Sequence, residues 1–165
     1  MKTFIKPLLL TVVMGLSANA LAVQKDITVT ANVDATLDLT TETGAVLPST
    51  LQMGYMPGTG LTPVTQQTKI FTNDATQNIK ISLAGEAKLL DTVGAKPAIP
   101  LTVKFGDTAL TTTPATLTAT TLFPTGDSTN GSVIQPLMIS QTTQTEVATG
   151  SYSGIVSIIL TQAAP

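Results

Sequence analysis

Residues 23–39 read VQKDITVTANVDATLDL. Taken alternately, Val23, Lys25, Ile27, Val29, Ala31, Val33, Ala35, Leu37 and Leu39 fall on one side, and Gln24, Asp26, Thr28, Thr30, Asn32, Asp34, Thr36 and Asp38 on the other. The first side is apolar except at Lys25, and the second is wholly polar. Successive side chains of a β-strand point to opposite faces, so the pattern specifies an extended strand with one buried face; a helix would scatter both sets. At about 3.3 Å per residue the stretch would span roughly 55 Å, whereas a domain of this size has a radius of gyration of only about 14 to 15 Å. Part of the strand therefore overhangs the domain or bends within it, and the overhanging part is expected to pair with another molecule.

The residues before it say where the chain goes. Lys2 and Lys6 form a basic start, Leu8 to Leu16 an apolar run too short to span a bilayer, and Ala20-Leu21-Ala22 a small-residue cleavage signature. Residues 1–22 thus read as a secretory signal peptide cut between Ala22 and Val23, leaving 143 residues that begin with the alternating arm. That length suits one domain with a sizeable core. Export permits disulfides, but the chain has no Cys, so packing and strand pairing must carry stability. With Lys2 and Lys6 removed, six lysines face ten acidic residues, a net charge of −4. This argues against a nucleic-acid partner, which needs a basic footprint, and neither Arg nor Trp is present to read or stack on bases. Charged residues make up 11% of the chain, and Thr, which favours half-buried sheet surface, stands where Lys and Glu stand elsewhere.

Along the rest of the chain short alternating runs are separated by turn residues. Leu51, Met53 and Tyr55 alternate up to the turn at Met56-Pro57-Gly58, after a connector marked by Pro48. Residues 60–63 read as loop, 66–73 as a polar strand around Ile70, 73–76 as a turn, and Ile79, Ile81 and Leu83 as the inner face of a strand. Glu86 to Leu90 has a helical look but is too short to stand alone, and is expected to be a loop or one turn. Ile99, Leu101, Val103 and Phe105 alternate, with Pro100 indicating an edge or bulge, and Gly106-Asp107 fits a two-residue hairpin turn. Residues 111–121 fit a linker or a strand, 123–132 a loop, and 133–140 a strand interrupted by Pro136. In the last run Tyr152, Gly154, Val156, Ile158 and Leu160 share one face. Ile155 and Ile159 on the other face imply that it is covered too. Many short strands without a substantial helix indicate an all-β sandwich.

Catalysis finds little material. Without His or Cys, serine triads and His-based metal sites are excluded, and general bases would have to be carboxylates or lysines. Gly126-Asp127-Ser128 looks like the nucleophile segment of one lipolytic family, but that chemistry needs a His, so the segment reads as a turn. Asp34 and Asp38 would lie about 13 Å apart on a strand, beyond either glycosidase spacing, and read as a solvated face. Asn130-Gly131-Ser132 matches the glycosylation acceptor pattern and equally a common turn. No cofactor is expected.

Four segments, VQKDITVTANVDATLDL, LPSTLQMGYMP (47–57), FTNDATQNIKISL (71–83) and GSYSGIVSIILT (150–161), together resemble the major pilins of alpha-class chaperone-usher fimbriae, the colonisation-factor and cable-pilus type. The resemblance implies an immunoglobulin-like sandwich that lacks its final strand and is completed by a donor strand from a neighbouring subunit. It implies residues 23–36 as the donor arm, with Ile27, Val29, Ala31 and Val33 as inserted knobs, and 37–165 as the pilin domain. The strand carrying Tyr152, Gly154, Val156, Ile158 and Leu160 would edge the acceptor groove. The implied partners are copies of the chain itself, a periplasmic chaperone, an outer-membrane usher and a minor tip adhesin, with the product exported through the periplasm to a surface fimbrium. The family usually has Pro after the Val-Asp of the arm, where this chain has Ala35, which bears on the stiffness of the hinge. The alternatives are a monomeric exported sandwich binding a host or surface ligand, and a secreted hydrolase.

Overall fold

The computed structural model describes residues 36–162. Its elements are β1 (Leu37–Thr41), β2 (Tyr55–Met56), β3 (Gly60–Leu61), β4 (Val64–Thr72), β5 (Ile79–Leu83), β6 (Lys88–Asp91), β7 (Ile99–Phe105), β8 (Thr108–Leu110), β9 (Ala115–Leu117), the single turn α1 (Ala119–Leu122), β10 (Gln135–Gln141), β11 (Tyr152–Ser153) and β12 (Ile158–Gln162). One sheet runs in the order β1-β4-β10-β7-β6-β11, with β8 added to β7; a second runs β12-β5-β9; β2 and β3 form a separate hairpin. Every registered pair is antiparallel.

The two sheets bury the faces that alternation marks as apolar. Ile70, Val103, Phe105, Leu137 and Ile139 come from the first sheet, Ile79, Ile81 and Leu83 from the second, and Leu122 and Phe123 close the core beside α1. Buried hydroxyls are satisfied: Thr68 Oγ1 donates to the Gln135 carbonyl at 2.7 Å, and Ser132 Oγ accepts the Ile70 N–H at 2.9 Å while donating to Val133 O. Unpaired, each would cost about 1 to 3 kcal/mol.

Several sequence expectations are corrected. Lys88–Asp91, expected as a loop or turn, is a strand, because Ile99 and Pro100 pair with it on one side and Tyr152 and Ser153 on the other. Pro100 and Pro136 lie in central strands rather than at an edge. Each offers a carbonyl, to Thr142 N–H and Gly106 N–H, at a place where no N–H of its own is needed. Residues 60–61, expected as loop, pair with Tyr55 and Met56 around the Pro57-Gly58 turn, while Leu51 and Met53 lie outside any strand. The hairpin at Gly106-Asp107 forms as expected, joining Phe105 to Thr108.

The last run is not one strand but two, β11 and β12. Both pair with the same stretch of chain. Tyr152 and Ser153 face Asp91 and Leu90, Ile158 to Gln162 face Leu83 to Ile79, and Ala84 N–H to Ser157 O and Thr92 N–H to Ser151 O continue the ladder. Between the two pieces, six residues (84–89) oppose four (154–157), so the partner bulges outward. Gly154 sits where the Lys88 carbonyl approaches so closely that a Cβ would collide with it. Ile155 and Ile159 are exposed, so the expectation that the outer face is covered does not hold within the subunit.

Candidate functional site

A burial gradient crosses the second sheet. On β5, Ile79 and Ile81 are 0% exposed, whereas Ile158 and Leu160 of the neighbouring β12, and Val156 just before it, are only half-buried although they pack on the same core. Strand β12 lies at the edge of its sheet and β1 at the edge of the other. Leu37 and Leu39 of β1, and Leu51 and Met53 later in the chain, are likewise half-buried against the core. Two apolar margins thus flank one side of the sandwich, each covered, among the described residues, on its core side only.

The two margins converge at one end. Gln162, the last residue of β12, accepts from Thr72 Oγ1 at 2.7 Å and donates to Asp74 O at 2.6 Å. Thr72 is the partner of Leu37, the first residue of β1, and the Thr36 N–H just before it donates to Asn73 Oδ1. This upper end, at the turn between β4 and β5, is therefore where the chain joins β1 from residues 23–35. The lower end holds the connection between β6 and β7 and the start of β11.

Of the expected groove-edge residues, Val156, Ile158 and Leu160 lie together on this margin. Gly154 adds no side chain to it. Tyr152 stands apart: its hydroxyl donates to Ala148 O at 3.0 Å, and its ring helps line a cleft of ≈ 280 Å³ with Pro97, Ile99 and Pro100. The expected knobs Ile27, Val29, Ala31 and Val33, the cleavage point Ala22/Val23 and Asp34 lie outside the described residues. Leu39, Leu51 and Met53 are half-buried against the same core without having been named as groove residues from the sequence. Their alternation is legible, but nothing in it says which molecule covers them.

The other sequence motifs resolve into local structure. Asp127 Oδ1 accepts both the N–H and the hydroxyl of Thr129, and Asp74 makes the same pair of bonds with Thr76. Those hydrogen bonds hold both exposed carboxyls below the ordinary Asp value. Gly126-Asp127-Ser128 is thus a turn, and Ser132 of the acceptor pattern spends its hydroxyl inside the fold. A second cleft of ≈ 280 Å³ lies beside β9 and α1, with Asp107, Gln135 and several threonines around it. Among the described residues no group of acidic side chains is arranged to hold a metal ion, and no helix is long and apolar enough to cross a membrane.

Among the described residues this is a sandwich with one open apolar side, built almost without helix. The chain belongs to the CS1 type fimbrial major subunit family, which matches residues 23–161. It is 35% identical to a CFA/I fimbrial subunit of Escherichia coli O78:H11 over 90% of each chain, and 33% identical to a CS1 fimbrial subunit of Escherichia coli over 87% of each. The solved CooA pilin subunit of enterotoxigenic Escherichia coli superposes with a TM-score of 0.68 at 27% identity, covering 78% of this chain and 88% of that one. The fold is accordingly an incomplete immunoglobulin-like sandwich. The protein is a structural, non-enzymatic subunit that assembles with other subunits into the shaft of a cell-surface fimbria.

Proposed function

We propose that the shaft is built by strand donation: the arm 23–36 of one copy, freed by cleavage after Ala22, lies along Val156, Ile158 and Leu160 of the next. The observation that carries this reading is the half-buried apolar margin of β12, an edge strand whose other side is fully paired. An extended arm would add main-chain hydrogen bonds to that edge, while Ile27, Val29, Ala31 and Val33 alternate at the spacing needed to reach the core between the two margins. The family match beginning at Val23 supports the cleavage point. Burying these aliphatic knobs is worth roughly 1.5 to 3 kcal/mol each. Ordering about ten arm residues costs about 1 to 2 kcal/mol apiece. The arm therefore orders only when a groove is offered, and completing the acceptor's core decides the balance.

An uncovered groove is an aggregation hazard during export. The same reading assigns its protection to a periplasmic chaperone, its exchange for the next arm to an outer-membrane usher, and the end of the fibre to a minor tip adhesin. Electrophoresis of surface-sheared fibres with and without boiling tests the reading: an unboiled ladder that collapses to monomer on boiling is expected, and monomer alone in both lanes would sink it. Val29→Asp is expected to abolish the ladder while the subunit still co-purifies with its chaperone; normal fibres from this variant would refute the assignment of the knobs.

A further inference from the structure

Strand donation constrains where the bodies of neighbouring subunits lie, and the following inference rests on that reading. Val33, the last expected knob, and Leu37, the first residue of β1, are four residues apart, and four extended residues span at most about 14 Å. The donor's body must therefore abut the end of the acceptor's groove. Each subunit's own arm joins β1 at the upper end, beside Thr72 and Asn73. Head-to-tail contacts use two different patches of a subunit, and an arm that pairs with β12 antiparallel, as every registered pair in this fold does, leaves the groove at its lower end. The donor's upper end thus meets the acceptor's lower end.

Both ends carry exposed aliphatic side chains. At the lower end Leu90 pairs with Ser153 on β11, Ile155 is the next outward residue of that strand run, and Val93 sits in the turn closed by Gly94 N–H to Asp91 O. They are 52%, 85% and 84% exposed. In the upper half, Val133 and Ile134 precede β10 at the level of Ile70, whose carbonyl takes the Ser132 N–H, and they too are exposed. These are the two surfaces that strand donation would bring together, where exposed aliphatic side chains would be removed from water.

We propose that Leu90, Val93 and Ile155 seat the upper end of a second copy of this chain, with Val133 and Ile134 as its apolar counterpart. Each joint of the fibre is then held by body-to-body contact as well as by the inserted arm. Benzoylphenylalanine in place of Val93, photo-activated in assembled fibres, is expected to cross-link to the peptide spanning residues 124–134 or 73–78 of a neighbouring copy. Cross-links to lower-end peptides, or none, in fibres that still give the heat-sensitive ladder would overturn the seat while leaving strand donation standing. Loss of the ladder in the parent protein would overturn both. The triple variant Leu90→Ser, Val93→Ser, Ile155→Ser is expected to keep the ladder and bend more in electron micrographs; unchanged curvature counts against the seat.

Discussion

Gly131 shows how much a single position can hold. Its φ is +72°, and a Cβ there would stand 2.9 Å from the ring of Phe71, which Gly44 also approaches from the turn after β1. The Phe71 ring on β4 is therefore flanked by two glycine turns, and Ser132, the next residue, locks the loop by bonding Ile70 N–H. Gly131→Ala is expected to destabilise by about 1 to 3 kcal/mol through strain and crowding, read as a lower thermal midpoint of sheared fibres. The sequence shows Asn130-Gly131 as a turn. It does not show the aromatic ring beneath it, because Phe71 lies 60 positions away and only the pairing of β4 and β10 brings the two together.

At the scale of elements, the sequence is most legible where alternation is cleanest. Ile79 to Leu83, Ile99 to Phe105 and the Gly106-Asp107 hairpin form as expected, since β-branched and aromatic residues in period two have few other ways to be buried. Lys88–Asp91 is illegible for the opposite reason. Its Glu-Ala-Lys-Leu-Leu surroundings favour helix locally, and pairing on both sides overrides that weak preference. The groove margin is half legible: Val156, Ile158 and Leu160 announce a strand, but the break at Gly154 depends on the bulge in its partner. Gly154→Ala is expected to push Lys88 away and weaken the pairing of β6 with β11, costing about 1 to 3 kcal/mol by overpacking. Gly85→Ala, in the same bulge with nothing nearby, is expected to stay within about 0.5 kcal/mol. Thermal midpoints of the two variant fibres, measured side by side, check this contrast.

At the scale of the whole molecule, the charge inventory fixes the response to pH. The chain has no His, so no side chain titrates at its ordinary pKa between about pH 5 and 8, and stability is expected to be flat across that range. Asp74 and Asp127 have pKa values lowered by their threonine hydrogen bonds. A depressed carboxyl contributes stability above its unfolded value of about 3.9 and loses it as pH falls through the folded value. The stability carried by these two carboxyls should therefore be lost only below about pH 4, and Asp74→Asn with Asp127→Asn should remove that part of the acid limb of a pH titration followed by circular dichroism. The one ion pair among the described residues, Lys88–Glu86, 3.8 Å apart and solvent-exposed, adds little.

The two-part ladder between residues 151–162 and 79–92 has a mechanical consequence. An inserted arm would lie beside the terminal run and parallel to its length, so tension along the fibre would pull the arm lengthwise past its neighbour. Such loading is shear: the main-chain bonds of the joint share the force and must fail together, whereas strands peeled from one end break bonds one at a time. Resistance to pulling is governed by the rate of forced opening rather than by equilibrium stability. A subunit whose folding alone is left unfinished would thus become, once joined, a link whose hold under drag is set by how slowly its bonds open together.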